Sequence, residues 1–286
     1  MTLESIKNAV TEKTKGIVLC HILGFNAITD EIVDFAKQND LFLIEDCCES
    51  HGAKFGTEKV GNHGHMSNFS FYFGHHMTTI EGGMVCTNSN IIYDYAKMFR
   101  SHGMTRDASK IIKESFSRRH PNLNPLFTFA VPGYNFRSCE LNAVIGLEQI
   151  KRLDDNIEKR VENLKIWSES LDPDRFFVDY DYKGNSNFSL PLILKEKNKK
   201  LFDKICNVLI EKKVEYRTGT AGGGNQTLQP YLKDKSLYKI SGNLNNANHI
   251  HNFGLYVGNH TELTREQIIE LCSALNDCNR EELWNF

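Results

Sequence analysis

Short apolar runs alternate with helical patterns over the first third of the chain. Gly16 to Cys20 (GIVLC) reads as a buried strand, Asp30 to Lys37 as a helix with Ile32, Phe35 and Ala36 on one face, and Leu41 to Ile44 (LFLI) as a second strand. Strand, helix, strand at this spacing predicts a parallel crossover unit. Asn68 to Phe73 and Met84 to Thr87 are two further short strands flanking a loop rich in His, Thr and Gly. A helix over Ile91 to Ser101 is expected to turn Tyr95, Met98 and Phe99 inward and to stop at Gly103, a residue suited to a left-handed cap. From Met104 to Pro132 the pattern dissolves into a basic, proline-containing stretch that reads as a long surface loop.

Helical periodicity resumes from Glu140 to Ser170 as a helix pair or one broken helix, reaching the turn Asp172-Pro173-Asp174. Beyond it the grammar changes. Phe188 to Leu194 is a strand, Asn198 to Lys213 a helix burying Leu201, Ile205, Val208 and Leu209, and Val214 to Arg217 another strand. Thr264 to Leu275 is a helix with a Thr264/Gln267 capping box and a stripe of Ile268, Leu271, Cys272 and Leu275. The pattern divides the chain into an α/β unit over residues 1–152, built on a mostly parallel sheet, and a smaller α+β unit over residues 153–286.

Composition narrows the function classes. With 34 Lys+Arg against 36 Asp+Glu, the 286 residues carry a formal charge of −2, without the basic footprint of nucleic-acid or anionic-membrane binding. No apolar run approaches the roughly 20 residues of a membrane helix, and MTLESIKNAVTEKTK has no signal-like stretch, so a cytoplasmic protein is expected. The eight cysteines, with Cys47 and Cys48 adjacent, form no CxxC pair and no metal-spaced cluster. They read as small buried hydrophobes in a reducing compartment.

Three features carry candidate chemistry. Glu45 and Asp46 end a strand, where ligands of parallel α/β sheets are met, and a carboxylate there can hold a cation or a protonated ring nitrogen; a turn or cap role is the alternative. In SFYFGHHMTTIEGG, Ser70 to Gly83, adjacent histidines leave a general base, a metal ligand or plain loop residues open, the metal being weakest for want of a third ligand. PGYNFRS, Pro132 to Ser138, places Asn and Arg ahead of a helix N-terminus, where they can serve as anion donors.

In this order, LIEDCCESHGAKFGTEKVGNHG, SFYFGHHMTTIEGGMVCTN, FRSHGMTR, GYNFRSCELNAVIGLEQIKRL and GLYVGNHTEL resemble the DegT/DnrJ/EryC1/StrS family of pyridoxal-phosphate sugar aminotransferases along nearly the whole chain. The resemblance implies the type I aspartate-aminotransferase fold. It implies that Asp46 pairs with the pyridinium nitrogen of the cofactor and that Glu49 stands where the family has Gln or His beside it. Ser70 then matches a donor to the cofactor phosphate, and Asn135 an asparagine reaching into a partner subunit's site, hence a homodimer. His102, Arg106 and Arg217 are the substrate-side candidates. The family's opening segment, with its phosphate turn and its ring-stacking aromatic residue, has no counterpart before Asp46. The resemblance therefore also admits a truncated chain, or one half of a split enzyme completed by a separate N-terminal segment.

The departure from the family stands at His75, five residues after Ser70 and seven before Gly82, where the motif has lysine. Imidazole cannot form the Schiff base that a lysine amine forms, but it is a base near neutral pH. The replacement resembles the family's sugar 3-dehydratases. Their iron-sulfur branch is disfavoured because no cysteine lies between residues 87 and 138. The implied activity is removal of the carbon-3 hydroxyl from a 4-keto-6-deoxy nucleotide sugar, GDP-linked rather than CDP-linked. Pyridoxal phosphate would serve in its pyridoxamine form with glutamate as amino donor, as in deoxysugar biosynthesis for lipopolysaccharide O-antigens. A nucleotide-sugar aminotransferase is the alternative.

Overall fold

The computed structural model describes residues 1–278; the last eight residues of the second expected unit, 279–286, lie outside the described residues. In chain order the helices are α1 (Leu3–Ala9), α2 (Asp30–Gln38), α3 (Asn90–Arg100), α4 (Lys110–Arg119), α5 (Glu140–Ile150), α6 (Leu153–Ser170), α7 (Lys199–Glu211), α8 (Asn245–Phe253) and α9 (Arg265–Asn276). The strands are β1 (Gly16–Cys20), β2 (Phe42–Asp46), β3 (Lys54–Phe55), β4 (Glu58–Lys59), β5 (Met66–Ser70), β6 (Gly83–Cys86), β7 (Ser189–Ile193), β8 (Tyr216–Thr218) and β9 (Gly254–Gly258).

The first sheet has the order β1-β2-β5-β6, with β1, β2 and β5 parallel and β6 antiparallel at one edge. The crossover helix α2 starts on the Thr29 cap, whose hydroxyl accepts from Ile32 N–H, and buries Ile32 and Ala36 with Phe35 half-covered beside them. GIVLC is buried only at alternate positions, which corrects the fully buried strand read from its apolar run. Ile17 and Leu19 are covered, whereas Val18 is 60% exposed. Helices cover one face of this sheet, and Asp46 emerges on the other. Parallel sheets ordinarily have both faces covered, so an apolar run alone suggested burial on both.

Three further expectations shift. The strand over Asn68 to Phe73 runs instead over Met66–Ser70, because the β6 partners end at the Ser70–Gly83 pair and Phe71 to Phe73 turn away into the loop. On α3 only Met98 of the three expected residues is buried; Tyr95 and Phe99 are exposed, and the other inward position is Asp94, whose carboxylate accepts from Ser109 N–H and hydroxyl. The stretch read as a continuous loop holds α4, capped by Ser109. With no buried residue it has no apolar stripe to reveal it. Gly103 does take the left-handed conformation, and its N–H donates to Met98 O, but His102 before it is left-handed as well.

The second sheet is antiparallel, in the order β7-β9-β8. Its core joins Leu190, Leu192, Leu255 and Val257 of the strands to Leu164 and Trp167 of α6, Leu201, Ile205 and Leu209 of α7, and Ile268, Cys272 and Leu275 of α9. The Thr264/Gln267 capping box of α9 is present in both directions. Among the described residues no helix is long and apolar enough to cross a membrane.

Candidate active site

β2 sends Glu45 and Asp46 to opposite faces of the sheet, as strand alternation requires. Glu45 is fully buried. Its carboxylate accepts from His21 Nε2 at 3.3 Å, Gly61 N–H at 2.8 Å, His63 N–H at 2.8 Å and Gly64 N–H at 2.7 Å. Burial alone would raise this carboxyl, but these bonds outweigh it and hold it below the usual range. His21 Nδ1 accepts from Ala27 N–H at 3.0 Å, which leaves Nε2 as the nitrogen that donates to Glu45. His21, Glu45 and Cys47 bring potential ligand atoms within 4.8 Å of one another. The carboxylate lone pairs and both ring nitrogens are already used, so the trio fixes the 61–64 loop rather than offering a metal site.

Asp46 is arranged for a different task. Its Oδ1 accepts from Asn68 Nδ2 at 2.9 Å and from Cys48 N–H at 3.1 Å, while Oδ2 has no bonded partner among the described residues. The flanking thiols of Cys20 and Cys48 are both pushed up to about 12, first by burial and then by Asp46 itself, so they stay neutral. Asp46 is thus a carboxyl group held through one oxygen, with the other to offer.

A cleft of about 1060 Å³ opens beyond the carboxyl ends of β2 and β5 and is closed on its far side by β8 and β9. Glu49, Tyr72, His75, Arg217, Tyr256 and Asn259 contribute to its wall. The His75 ring stands edge-on to Tyr72 and Phe188, with centroids 5.7 and 5.6 Å away, and its buried Nδ1 has no partner. Burial lowers its pKa and the charge of Arg217 adds to this, against the Ser70 carbonyl and Asp46. Burial thus favours the neutral imidazole over its charged form. Glu49 accepts from Leu23 N–H at 2.6 Å, and burial, then Asp46, raises its carboxyl above the ordinary range. Ser70 ends β5, its hydroxyl accepting from Tyr72 N–H at 3.3 Å.

The structure brings His75, Glu49 and Arg217 to one cleft; Asp46 and Ser70 do not line it, but the Asp46 charge acts on both His75 and Glu49. Asn135, His102 and Arg106 do not line it. Asn135 is exposed, bridged to Ser101 through the backbone and accepting from Arg137 Nε; His102 and Arg106 are exposed on the turn after α3. Sequence reasoning missed Asn68, Tyr72, Phe188 and Tyr256. Tyr256 sits in the GLYVGNH string, and its hydroxyl accepts a hydrogen bond from Arg217, its cross-strand neighbour.

A three-stranded parallel core with an antiparallel edge, a carboxylate ending the central strand, and a smaller antiparallel unit closing the cleft define the α/β fold of pyridoxal-phosphate-dependent transferases of the aspartate-aminotransferase type. The DegT/DnrJ/EryC1/StrS aminotransferase family profile matches residues 1–276, and the chain belongs to that family. The chain is similar to the GDP-4-keto-6-deoxy-D-mannose 3-dehydratase of Yersinia pseudotuberculosis, 34% identical over 279 residues that cover 96% of this chain and 69% of that protein. A GDP-4-keto-6-deoxymannose-3-dehydratase structure with a trapped PLP-glutamate geminal diamine matches with a TM-score of 0.79 at 29% identity, covering 96% of this chain and 71% of that one. A variant of an enzyme of that name with bound GDP-perosamine matches at 0.83 and 31%, again over 96% and 71%. The chain spans about two thirds of the length of its curated relatives, 69% and 66% for two of them.

Proposed function

We propose that the chain is a 3-dehydratase of a GDP-linked 4-keto-6-deoxy sugar that works with pyridoxal phosphate. The carrying observation is His75: an imidazole whose burial favours its neutral form lines the cleft where the family's motif has the anchoring lysine. The donor set suits the cofactor. Asp46 Oδ2 is free to hold a ring nitrogen in its protonated form, and Ser70 offers a hydroxyl to the phosphate. When bound, the cofactor supplies an electron sink conjugated to the substrate carbon. His75 has no amine with which to fix it covalently, so it acts by taking and returning a proton beside the sugar.

The chemistry balances with glutamate as donor, consistent with the glutamate adduct of the similar structure. Glutamate supplies the amino group and the two electrons, leaving as the 2-oxo acid. The sugar's carbon–oxygen bond at carbon 3 breaks with its hydroxyl leaving as water, and one water is consumed as the nitrogen is hydrolysed off and released as ammonia. Arg217, which lines the cleft, is assigned to the substrate side, and Asn135, which does not, to a partner subunit's site in a homodimer. The exposed apolar row of α5, Leu141, Val144, Leu147 and Ile150, supports that assembly.

Mixing the protein with pyridoxal phosphate and glutamate tests the first half: the aldehyde absorbance should give way to that of the amine. Adding a GDP-4-keto-6-deoxy sugar should then release ammonia. An amino sugar retaining its carbon-3 hydroxyl would make the chain an aminotransferase instead. Absence of both products without, but not with, a polypeptide supplying the family's opening segment would mark a split enzyme.

A further inference from the structure

Segment 185–187, which leads into β7, is almost wholly buried although it is entirely polar: Asn185 is 7% exposed, and Ser186 and Asn187 not at all. Such burial requires partners, and these partners are unusual in where they lie. Ser186 N–H donates to Gly24 O at 2.9 Å, its hydroxyl donates to His51 O at 2.6 Å, and its carbonyl accepts from His76 Nε2 at 2.7 Å. Gly24 is left-handed (φ 84°), and a Cβ there would fall 1.7 Å from Ser186 O, so only glycine permits this approach. Asn187 Nδ2 donates to Leu23 O at 2.9 Å, and Leu23 N–H is the donor that holds Glu49. On the other side Asn187 O accepts from Asn259 Nδ2 at 3.0 Å, and Asn259 O accepts from Arg160 Nε at 3.1 Å.

The next residue, Phe188, carries the ring that stands edge-on to His75 and tilted over His76. Two adjacent residues thus reach two of the titratable groups of the cleft, His75 and Glu49, by separate routes. One runs from Ser186 through His76 to its neighbour His75; the other runs from Asn187 through Leu23 to Glu49. Neither Ser186 nor Asn187 lines the cleft. His76 Nε2 donates to a carbonyl, which fixes the neutral tautomer, and its burial favours that neutral form.

We propose that Ser186 and Asn187 are positioning residues, clasping the His75 loop through His76 and the Glu49 carboxyl through Leu23 so that the two groups keep a fixed separation in the cleft. The proposal rests on the dehydratase reading for what His75 does, and on geometry alone for how the two groups are held. Because the clasp touches no ligand, loosening it should lower turnover and leave binding unchanged. A displacement near 1 Å costs about a hundredfold in rate.

The test compares His76→Leu, His76→Gln and Asn187→Ala with the unaltered protein, each checked for folding by circular dichroism. His76→Leu should lower kcat for ammonia release about tenfold to a hundredfold, with KM for the nucleotide sugar within about twofold. His76→Gln, whose amide can still donate to Ser186 O, should recover kcat to within a few-fold. Asn187→Ala should lower kcat with the same unchanged KM, and it decides the matter if His76→Leu does not fold. In parallel, imidazole NMR of the cofactor-free protein should show the His75 resonances of His76→Leu moved towards those of an exposed histidine. Equal loss in His76→Gln and His76→Leu, a loss carried by KM, or unmoved His75 resonances would overturn the proposal. If the unaltered protein releases no ammonia, the dehydratase reading fails while the NMR comparison still decides the clasp.

Discussion

Asn68 Nδ2 lies 2.9 Å from Asp46 Oδ1, a contact between adjacent parallel strands that fixes the carboxylate plane and keeps Oδ2 for a ligand. Hydrogen bonds to charged groups contribute about 1.5–3 kcal/mol. Asp46→Asn, which preserves shape and removes charge, should therefore slow conversion of pyridoxal phosphate by glutamate about ten- to a hundredfold. Stopped-flow absorbance checks this, and an unchanged rate would mean that Asp46 does not face the cofactor ring.

His75→Lys restores the family's lysine in the same cleft. The expected outcome is retention of pyridoxal phosphate through gel filtration, fixed covalently by borohydride, together with loss of dehydration. Dehydration surviving the change would remove His75 from its role.

Buried histidines make the fold acid-sensitive. Burial, with His75 nearby, lowers His51 to about 4, against 6.5 for an unperturbed imidazole. The folded state then binds fewer protons than the unfolded one between these values. The stability this represents, about 3 kcal/mol for His51, is full above pH 6.5 and lost as pH falls towards 4. Urea midpoints should drop between pH 7 and pH 4.5, and His51→Gln should show a shallower drop. Activity should fall over the acid side as well, because His75 must be unprotonated to act.

Ile80 holds a left-handed backbone (φ 74°) with its side chain 64% exposed in the loop between β5 and β6. For a β-branched residue that conformation costs about 1–2 kcal/mol, and little burial is gained in exchange. Ile80→Gly should raise stability by about 0.5–1 kcal/mol after the entropy of the added glycine is set against it. Thermal unfolding measures it; a lower Tm would show that Ile80 packs against a surface such as a second subunit.

Much of this was legible before the fold was seen. GIVLC, the Thr29-capped helix and LFLIED specify the crossover, and the end of such a strand is where ligands are met, which makes Asp46 a candidate by position while leaving a turn or cap role open. His75 stands out by counting residues within the motif that the family resemblance supplies. What escaped depended on contacts distant in the chain. His76 meets Ser186 across 110 residues, and nothing in either neighbourhood announces the bond. The α4 helix escaped because it buries nothing, and β5 was misplaced because Phe71 to Phe73 prolong an apolar run after the hydrogen bonding to β6 has ended.

The most direct measurement is the mass of the sugar formed when the protein, pyridoxal phosphate, glutamate and a GDP-4-keto-6-deoxy sugar are combined, with ammonia and 2-oxoglutarate assayed alongside. The account requires a sugar lighter by one oxygen atom, with ammonia and 2-oxoglutarate in equal amounts. A sugar that keeps its carbon-3 oxygen and gains nitrogen, with no ammonia released, would contradict it.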